Sequence, residues 1–246
     1  MKSSKYLHRF YRDWMEPDLQ LTRIIAKETD LEILTNKKID RAFVEERIRL
    51  YRWEVEHYIN RDPRFLTALK PLAVELNAPP IIKQMAEAAR AANVGPMSAV
   101  AGAIAECLGR DLLKQGYKDV IVENGGDIFL KTSKARRIGI YSGRSKLYNS
   151  LSLKIKAKDT PVGICTSSGT VSHSLSFGCA DSVVILARSA TLADAVSAAT
   201  CNQVQTKQDL EKAVNFARSI PGVAGAVAVL KNSLSSWGKI EFISGK

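Results

Sequence analysis

Asn124-Gly125-Gly126-Asp127 puts a side-chain amide, two residues without side chains and a carboxylate into one short stretch. It interrupts Asp119–Leu130, an apolar run that otherwise reads as buried strand. Paired glycines leave backbone N–H groups bare and let a ligand come close to the chain. The amide and the carboxylate add directional hydrogen bonding. A second small, polar turn follows at Cys165–Thr170. There Thr166, Ser167, Ser168 and Gly169 supply hydroxyls and N–H donors suited to a phosphate or a carboxylate, although the same residues also make an ordinary Ser/Gly turn. Together the two turns predict a two-sided polar pocket. Its ligand-binding candidates are Asn124, Gly125, Gly126, Asp127, Thr166, Ser167, Ser168 and Gly169.

The histidines are His8, His57 and His173, and none stands at metal-ligand spacing from another. His173, close after the Ser-Ser-Gly turn, is the candidate for proton transfer, with a structural histidine as the alternative. Asp194 lies in the first turn of a helical pattern, Thr191–Thr200. There a carboxylate either favours the helix dipole or coordinates a hard cation such as magnesium. Asp181 is a secondary candidate. No G-x-G-x-x-G follows a strand and no G-x-x-x-x-G-K-[ST] is present, so standard dinucleotide and P-loop chemistry has no support. Cys107, Cys165, Cys179 and Cys201 contain no C-x-x-C and are too few for a disulfide scaffold. Reduced thiols are expected, with a metal or redox role for Cys165 and Cys179 as the alternative.

The chain has 246 residues and a net charge of +11. Residues 131–160 hold nine Lys or Arg against Asp159 alone, which is +8 of that total. This segment reads as a basic hairpin. It is either a solvated surface, a rim attracting an anionic small molecule, or a docking face for a partner protein. A nucleic-acid surface is disfavoured, since only Tyr141 and Tyr148 could stack on bases and no nucleic-acid module is recognisable. No apolar run approaches the length of a membrane helix, and the first residues lack the apolar core of a secretory signal. The expected location is the cytoplasm.

These candidates need elements to position them. Leu19–Ala26 and Leu31–Leu34 read as an opening hairpin. Asp40–Tyr58 carries a helical apolar stripe that ends before Pro63. Phe65–Leu69 reads as a short helix or turn, Ile81–Ala92 as a helix, and Met97–Gln115 as an alanine-rich helix. Gly95-Pro96 at the start of that last helix is expected to leave N–H groups free for an anion. Strands follow at Val120–Glu123, Ile128–Lys131, Arg137–Tyr141, Leu151–Ile155, Val162–Thr166 and Ser182–Ala187. Helices Thr191–Thr200 and Lys207–Arg218 come next, then strands Gly222–Leu230 and Lys239–Ile243. Short antiparallel strands with helices set apart predict an α+β fold. No linker or repeat divides residues 1–246.

The segments Gly95–Leu113, Asn124–Ile128, Thr166–Gly169, His173 and Val183–Ala198, in that order, resemble the ApbE superfamily of FAD:protein FMN transferases. More closely, Glu28–Leu31, Glu56–Ile59 with Pro63 and Phe65, Gly95–Met97, Val100–Ala105, Glu123–Ile128 and Ser168–Gly178 resemble an ApbE-like family of anaerobic bacteria and archaea. The resemblance implies a single ApbE-like domain over residues 1–246, a mostly antiparallel sheet with helices packed on it. It also implies an enzyme or enzyme subunit linked to sulfide incorporation into homocysteine. A divergent FAD:protein FMN transferase is the alternative, and a non-enzymatic partner protein a further one. FAD or FMN would be the cofactor, with magnesium at Asp194. Exposed strand edges would allow a homo-oligomer. The chain departs from the transferases where Ala101-Gly102 replaces a lysine-glycine pair. It departs again after His173, where Ser174–Gly178 lacks an aspartate-proline, and where Ala198 replaces a threonine four residues after Asp194. These departures imply that FAD and magnesium are bound differently or not at all.

Overall fold

Val120–Val122, Val183–Ala187 and Ala226–Val229 are apolar at every position, not at alternate ones. The fold gives the reason. Successive residues of a strand point to opposite faces, and here both faces are covered. Val120, Val122, Phe129, Cys165, Val183, Ile185, Ala226 and Ala228 pack with the helices. Ile121, Leu130, Ile164, Val184, Leu186, Val227 and Val229 pack on the other side, with Leu153, Ile155, Ile138 and Phe242.

The computed structural model describes residues 18–139, 151–169 and 177–244. The elements in chain order are β1 (Gln20–Ala26), β2 (Thr29–Thr35), α1 (Arg41–Arg61), α2 (Arg64–Thr67), α3 (Pro80–Ala92), α4 (Val100–Lys114), β3 (Val120–Asn124), β4 (Asp127–Lys131), β5 (Arg136–Gly139) and β6 (Leu151–Ile155). Then come β7 (Val162–Ser167), β8 (Ser182–Ala187), α5 (Ala190–Asn202), α6 (Asp209–Ser219), β9 (Val223–Leu230), β10 (Ser233–Gly238) and β11 (Phe242–Ser244). Eight strands form one antiparallel sheet in the order β1-β2-β3-β4-β7-β8-β9-β10. A smaller sheet, β11-β6-β5, lies over its far face. The result is the expected α+β fold, a mostly antiparallel sheet with helices packed on it. Among the described residues no single helix is long and apolar enough to cross a membrane.

Three expectations need correction. The expected helix Met97–Gln115 opens as a 3-10 turn over Pro96–Ala99, and its α-helical part starts at Val100. Ser233–Gly238, which sequence leaves as a loop, is edge strand β10, paired along β9 from Ser233↔Leu230 to Gly238↔Gly225. Half of its six residues are serines, so no apolar alternation marks it. The strand expected at Lys239–Ile243 is instead Phe242–Ser244, and it joins the small sheet beside β6.

The basic segment is also changed by the fold. Arg136 is 3% exposed and donates from Nη1 to Asp18 at 2.6 Å and from Nε to Thr132 at 3.0 Å. Its Nη2 lies 3.6 Å from Asp119. Lys134 pairs with Asp18, and both Lys154 and Lys156 pair with Glu241. The counter-ions of this segment therefore come from outside it. Arg144, Lys146, Tyr141 and Tyr148 lie outside the described residues. Burial alone would raise the Asp119 carboxyl, but hydrogen bonds from the Ser133 backbone and side chain and from Thr132, with the Arg136 charge, hold it below its ordinary 3.8. A depressed carboxyl contributes stability at neutral pH that is lost as pH falls through its folded value. Asp119→Asn should lower stability by about 1–2 kcal/mol and flatten the acid limb of a stability-pH curve below about pH 4. Urea titrations at stepped pH check both.

Candidate functional site

Gly125 and Gly126 have φ of 68° and 108°, and Asn124 pairs with Asp127 across them. Two central residues with positive φ are what a tight two-residue hairpin demands. The hairpin therefore accounts for the glycine pair without a ligand. Glu123 holds the turn by accepting from Gly126 N–H at 2.6 Å.

Strand register brings the second turn to the same place. Asp127 of β4 sits opposite Cys165 of β7, and a Cβ on Gly126 would lie 3.7 Å from the Thr166 carbonyl. Alternation decides which side chains meet. Asp127 shares a face with Phe129, and Cys165 and Ser167 share one another's; this is the helix side. Thr166 shares the opposite face with Val162 and Ile164. It therefore leaves the group that sequence placed together.

On the helix side, α4 and α5 complete the cluster. Asn124 donates from Nδ2 to the Ala101 carbonyl at 3.1 Å. Asp194 of α5 accepts from Gly102 N–H at 2.8 Å and from the Ala101 amide. The start of α4 is thus occupied by a carboxylate of the chain itself, which corrects the expectation of free N–H groups there for an anion. Close approach of α4 to α5 depends on Gly102, whose Cβ would lie 2.3 Å from the Ala190 carbonyl. Ser197 donates to the Asp194 carbonyl at 2.9 Å, and its hydroxyl meets that of Ser167 at 2.8 Å. Cys165 donates to the Ala190 carbonyl at 3.3 Å. Sequence analysis met Ala101 only as a departure from the transferases' lysine-glycine pair, and gave Glu123 and Ser197 no role. Only Ser197 carried a signal, standing three residues after Asp194 on one helix face.

The other candidates fall elsewhere or are already engaged. Gly169 gives its N–H to Ala180 at 2.9 Å and packs on the Gly178 backbone, where a Cβ would sit 1.9 Å from the carbonyl oxygen. Its amide is thus not a free anion donor. Ser168 is buried. Asp181 closes the β9–β10 turn by accepting from Lys231 N–H at 2.6 Å. His173 lies outside the described residues. All four cysteines are free thiols.

The cluster is acidic. Glu123, Asp127 and Asp194 are all buried. Burial first, then the Asp194 charge, push the Asp127 carboxyl well above its ordinary value. Burial also pushes Asp194 up to about 7, against the two amides of α4. The Cys165 thiol is raised by burial and then by Asp127. Asp127 Oδ1 is buried with no hydrogen-bond partner. Among the described residues no set of three His, Cys, Asp or Glu side chains is arranged to hold a metal ion. A magnesium ion, however, is commonly bound by one or two carboxylates with water and ligand oxygens. The orphaned Asp127 oxygen and the Asp194 carboxylate fit that pattern. Neither lysine nor arginine is among the main influences on either carboxyl.

A family model described as "AbpE bacteria" matches residues 12–234. The chain belongs to that ApbE-like family. A UPF0280 protein of Methanocaldococcus jannaschii is 42% identical over 223 residues, covering 89% of this chain and 90% of that protein. A UPF0280 protein of Methanosarcina acetivorans is 36% identical, covering 89% and 86%. Among solved structures, the flavin transferase ApbE from Vibrio cholerae superposes with a TM-score of 0.60 at 15% identity, covering 89% of this chain and 97% of that one. The ApbE protein of Thermotoga maritima gives 0.58 at 15% identity, covering 93% and 97%. At such identities the likeness is one of fold, and the ApbE-like fold of this chain is shown by it.

Proposed function

We propose that this ApbE-like protein binds a small molecule at the acidic end of its large sheet. It would act there as an enzyme or enzyme subunit in anaerobic sulfur and homocysteine metabolism. The observation that carries the binding site is that Asn124 and Asp194 both bond to the start of α4 and Ser167 bonds to Ser197 of α5, while Asp127, opposite Cys165 of β7, keeps one buried oxygen unpartnered. Buried polar atoms are nearly always satisfied, and an exception asks for a missing partner. The metabolic context rests on the family resemblance and on relatives from methanogens.

The chemistry of the site restricts the ligand. Two buried carboxylates, Asp127 and Asp194, repel a bare phosphate or carboxylate, so an anionic ligand needs a cation with it. Asp127 and Asp194 would hold that cation, which when bound supplies positive charge opposite the ligand's anionic group. Asn124 would orient the ligand while anchored to α4, and Glu123 would keep the glycine turn in register. His173 remains the proposed proton-transfer group. Thermal shift of the full chain tests the reading, with FAD, FMN, inorganic phosphate and homocysteine each tried with and without magnesium chloride. A ligand at about a hundred times its Kd should add about 2.7 kcal/mol, a rise in Tm of roughly 5–10 °C. If no compound moves Tm, the site is not a small-molecule pocket for these classes.

A second reading, a divergent FAD:protein FMN transferase, draws support from the fold likeness to flavin transferases. It expects release of AMP from FAD when magnesium and a threonine-containing acceptor peptide are supplied. Absence of AMP at enzyme concentrations that bind FAD would rule it out.

A further inference from the structure

We infer that the ligand meets this site through a hydrogen-bond donor, a primary amine carried as its ammonium, and that Ser197 sets this preference by accepting the hydrogen of Ser167. The inference rests on the small-molecule reading above and names the ligand class. Such an amine brings its own charge where an anionic ligand would need a separate cation.

The hydrogens carry the argument. A serine hydroxyl has one hydrogen to give and two lone pairs. Ser197 Oγ lies 2.9 Å from the Asp194 carbonyl oxygen. That oxygen can only accept, so the Ser197 hydrogen is committed to it. Ser167 Oγ lies 2.8 Å from Ser197 Oγ, and with Ser197 committed, Ser167 is the donor of that pair. It therefore shows a ligand lone pairs and no hydrogen. Ser197 is fully buried and Ser167 only partly so, so the inner hydroxyl orders the outer one.

Asp127 adds a second acceptor on the same face. It pairs with Cys165, and Ser167 is the next residue of β7 to share that face, a diagonal neighbour about 7 Å away. Asp127 accepts from the Thr166 amide and draws on the Cys165 thiol, yet its Oδ1 is buried without a donor. The thiol is a weak donor and also faces the Ala190 carbonyl at 3.3 Å. Asn124 gives one amide hydrogen to Ala101 and keeps one, the single uncommitted hydrogen among the side chains just named. A buried carboxylate without its full set of donors is costly. An ammonium offers three hydrogens and a positive charge on one nitrogen. Seated between the two acceptors, it can give one hydrogen to Asp127 Oδ1 and one to Ser167, and such charge-assisted bonds are the strong ones. A phosphate or carboxylate has neither the hydrogens nor the charge.

Thermal melts of the full chain test this with propylammonium chloride and sodium propionate, a cation and an anion of matched size, each compared with sodium chloride at the same ionic strength. Wild type should gain Tm with propylammonium and not with propionate. Ser167→Ala should weaken the apparent affinity for propylammonium about tenfold, and Ser167→Thr, which keeps the hydroxyl, should restore it. Ser197→Ala leaves Ser167 in place but releases its hydrogen. It should weaken propylammonium by a similar factor and let propionate raise Tm, whereas a merely structural Ser197 would lower both effects alike. Melts in sodium chloride alone show whether each variant folds, and the two Ser167 variants decide if Ser197→Ala does not. No gain with propylammonium, an equal gain with propionate in wild type, or an unchanged preference in Ser197→Ala overturns the inference. A rise with FMN or inorganic phosphate but none with propylammonium would remove the amine and keep the small-molecule reading, which falls only on its own melts.

Discussion

Gly102→Ala should cost about 3 kcal/mol of stability and lower Tm by roughly 6–12 °C. The added Cβ would stand 2.3 Å from the Ala190 carbonyl oxygen and 2.8 Å from the Asp194 Cβ. Both contacts are well inside van der Waals distance, and the first is with backbone. A flexible side chain could swing away, but Ala190 cannot. It begins α5, whose N-cap Ser189 accepts from Leu192 N–H. Glu106 of α4 accepts from both the amide and the hydroxyl of Thr191 at 3.1 and 3.0 Å. The two helices are therefore bolted together beside the clash, and relief requires α4 and α5 to separate. Separation would also pull the Gly102 amide from Asp194 and disturb the acidic cluster. Urea denaturation checks the stability, and the propylammonium melt checks the site. Gly116→Ala is a useful contrast: nothing lies within 4 Å of its Cβ, but its φ is +80°, so only backbone strain is expected, about 1 kcal/mol. A Gly102→Ala protein within 1 kcal/mol of wild type, or so by order of magnitude, would mean that the helices are not in contact as described.

Arg136→Glu should be as damaging or more so, about 4 kcal/mol and roughly 8–16 °C in Tm. Arg136 is buried between Asp18 and Asp119 and also bonds to Thr132. Breaking a buried pair leaves an uncompensated charge, and the reversal would set three carboxylates together. Lys158→Glu, at an exposed position of the same basic segment, should stay within about 0.5 kcal/mol. Thermal melts of the two variants side by side decide whether this segment is a charged surface throughout. Equal, small effects would return Arg136 to the surface and restore the segment as a docking face.

That contrast shows where reading along the chain stops. The +8 over residues 131–160 is a true count, but charge is neutralised in space. Asp18, Asp119 and Glu241 reach the segment only because the fold brings them there. The glycine turn has the same lesson in miniature. Asn124-Gly125-Gly126-Asp127 pointed to a ligand, yet positive φ at both glycines is already required by the hairpin between β3 and β4.

The residues alone determined most of the element order, short of β10 and the place of β11, together with the α+β class, the family and the two strand ends where polar side chains gather. Those properties follow from local periodicity and from motif order, which are written along one dimension. Tertiary structure decided which of those side chains face one another. Strand alternation kept Ser167 with Asp127 and turned Thr166 away, β4–β7 register set Asp127 beside Cys165, and α5 carried Asp194 onto the start of α4. Burial and unpaired charge exist only once distant segments are packed, so the acidic pair at the heart of the site could not be read before the sheet and helices were in place.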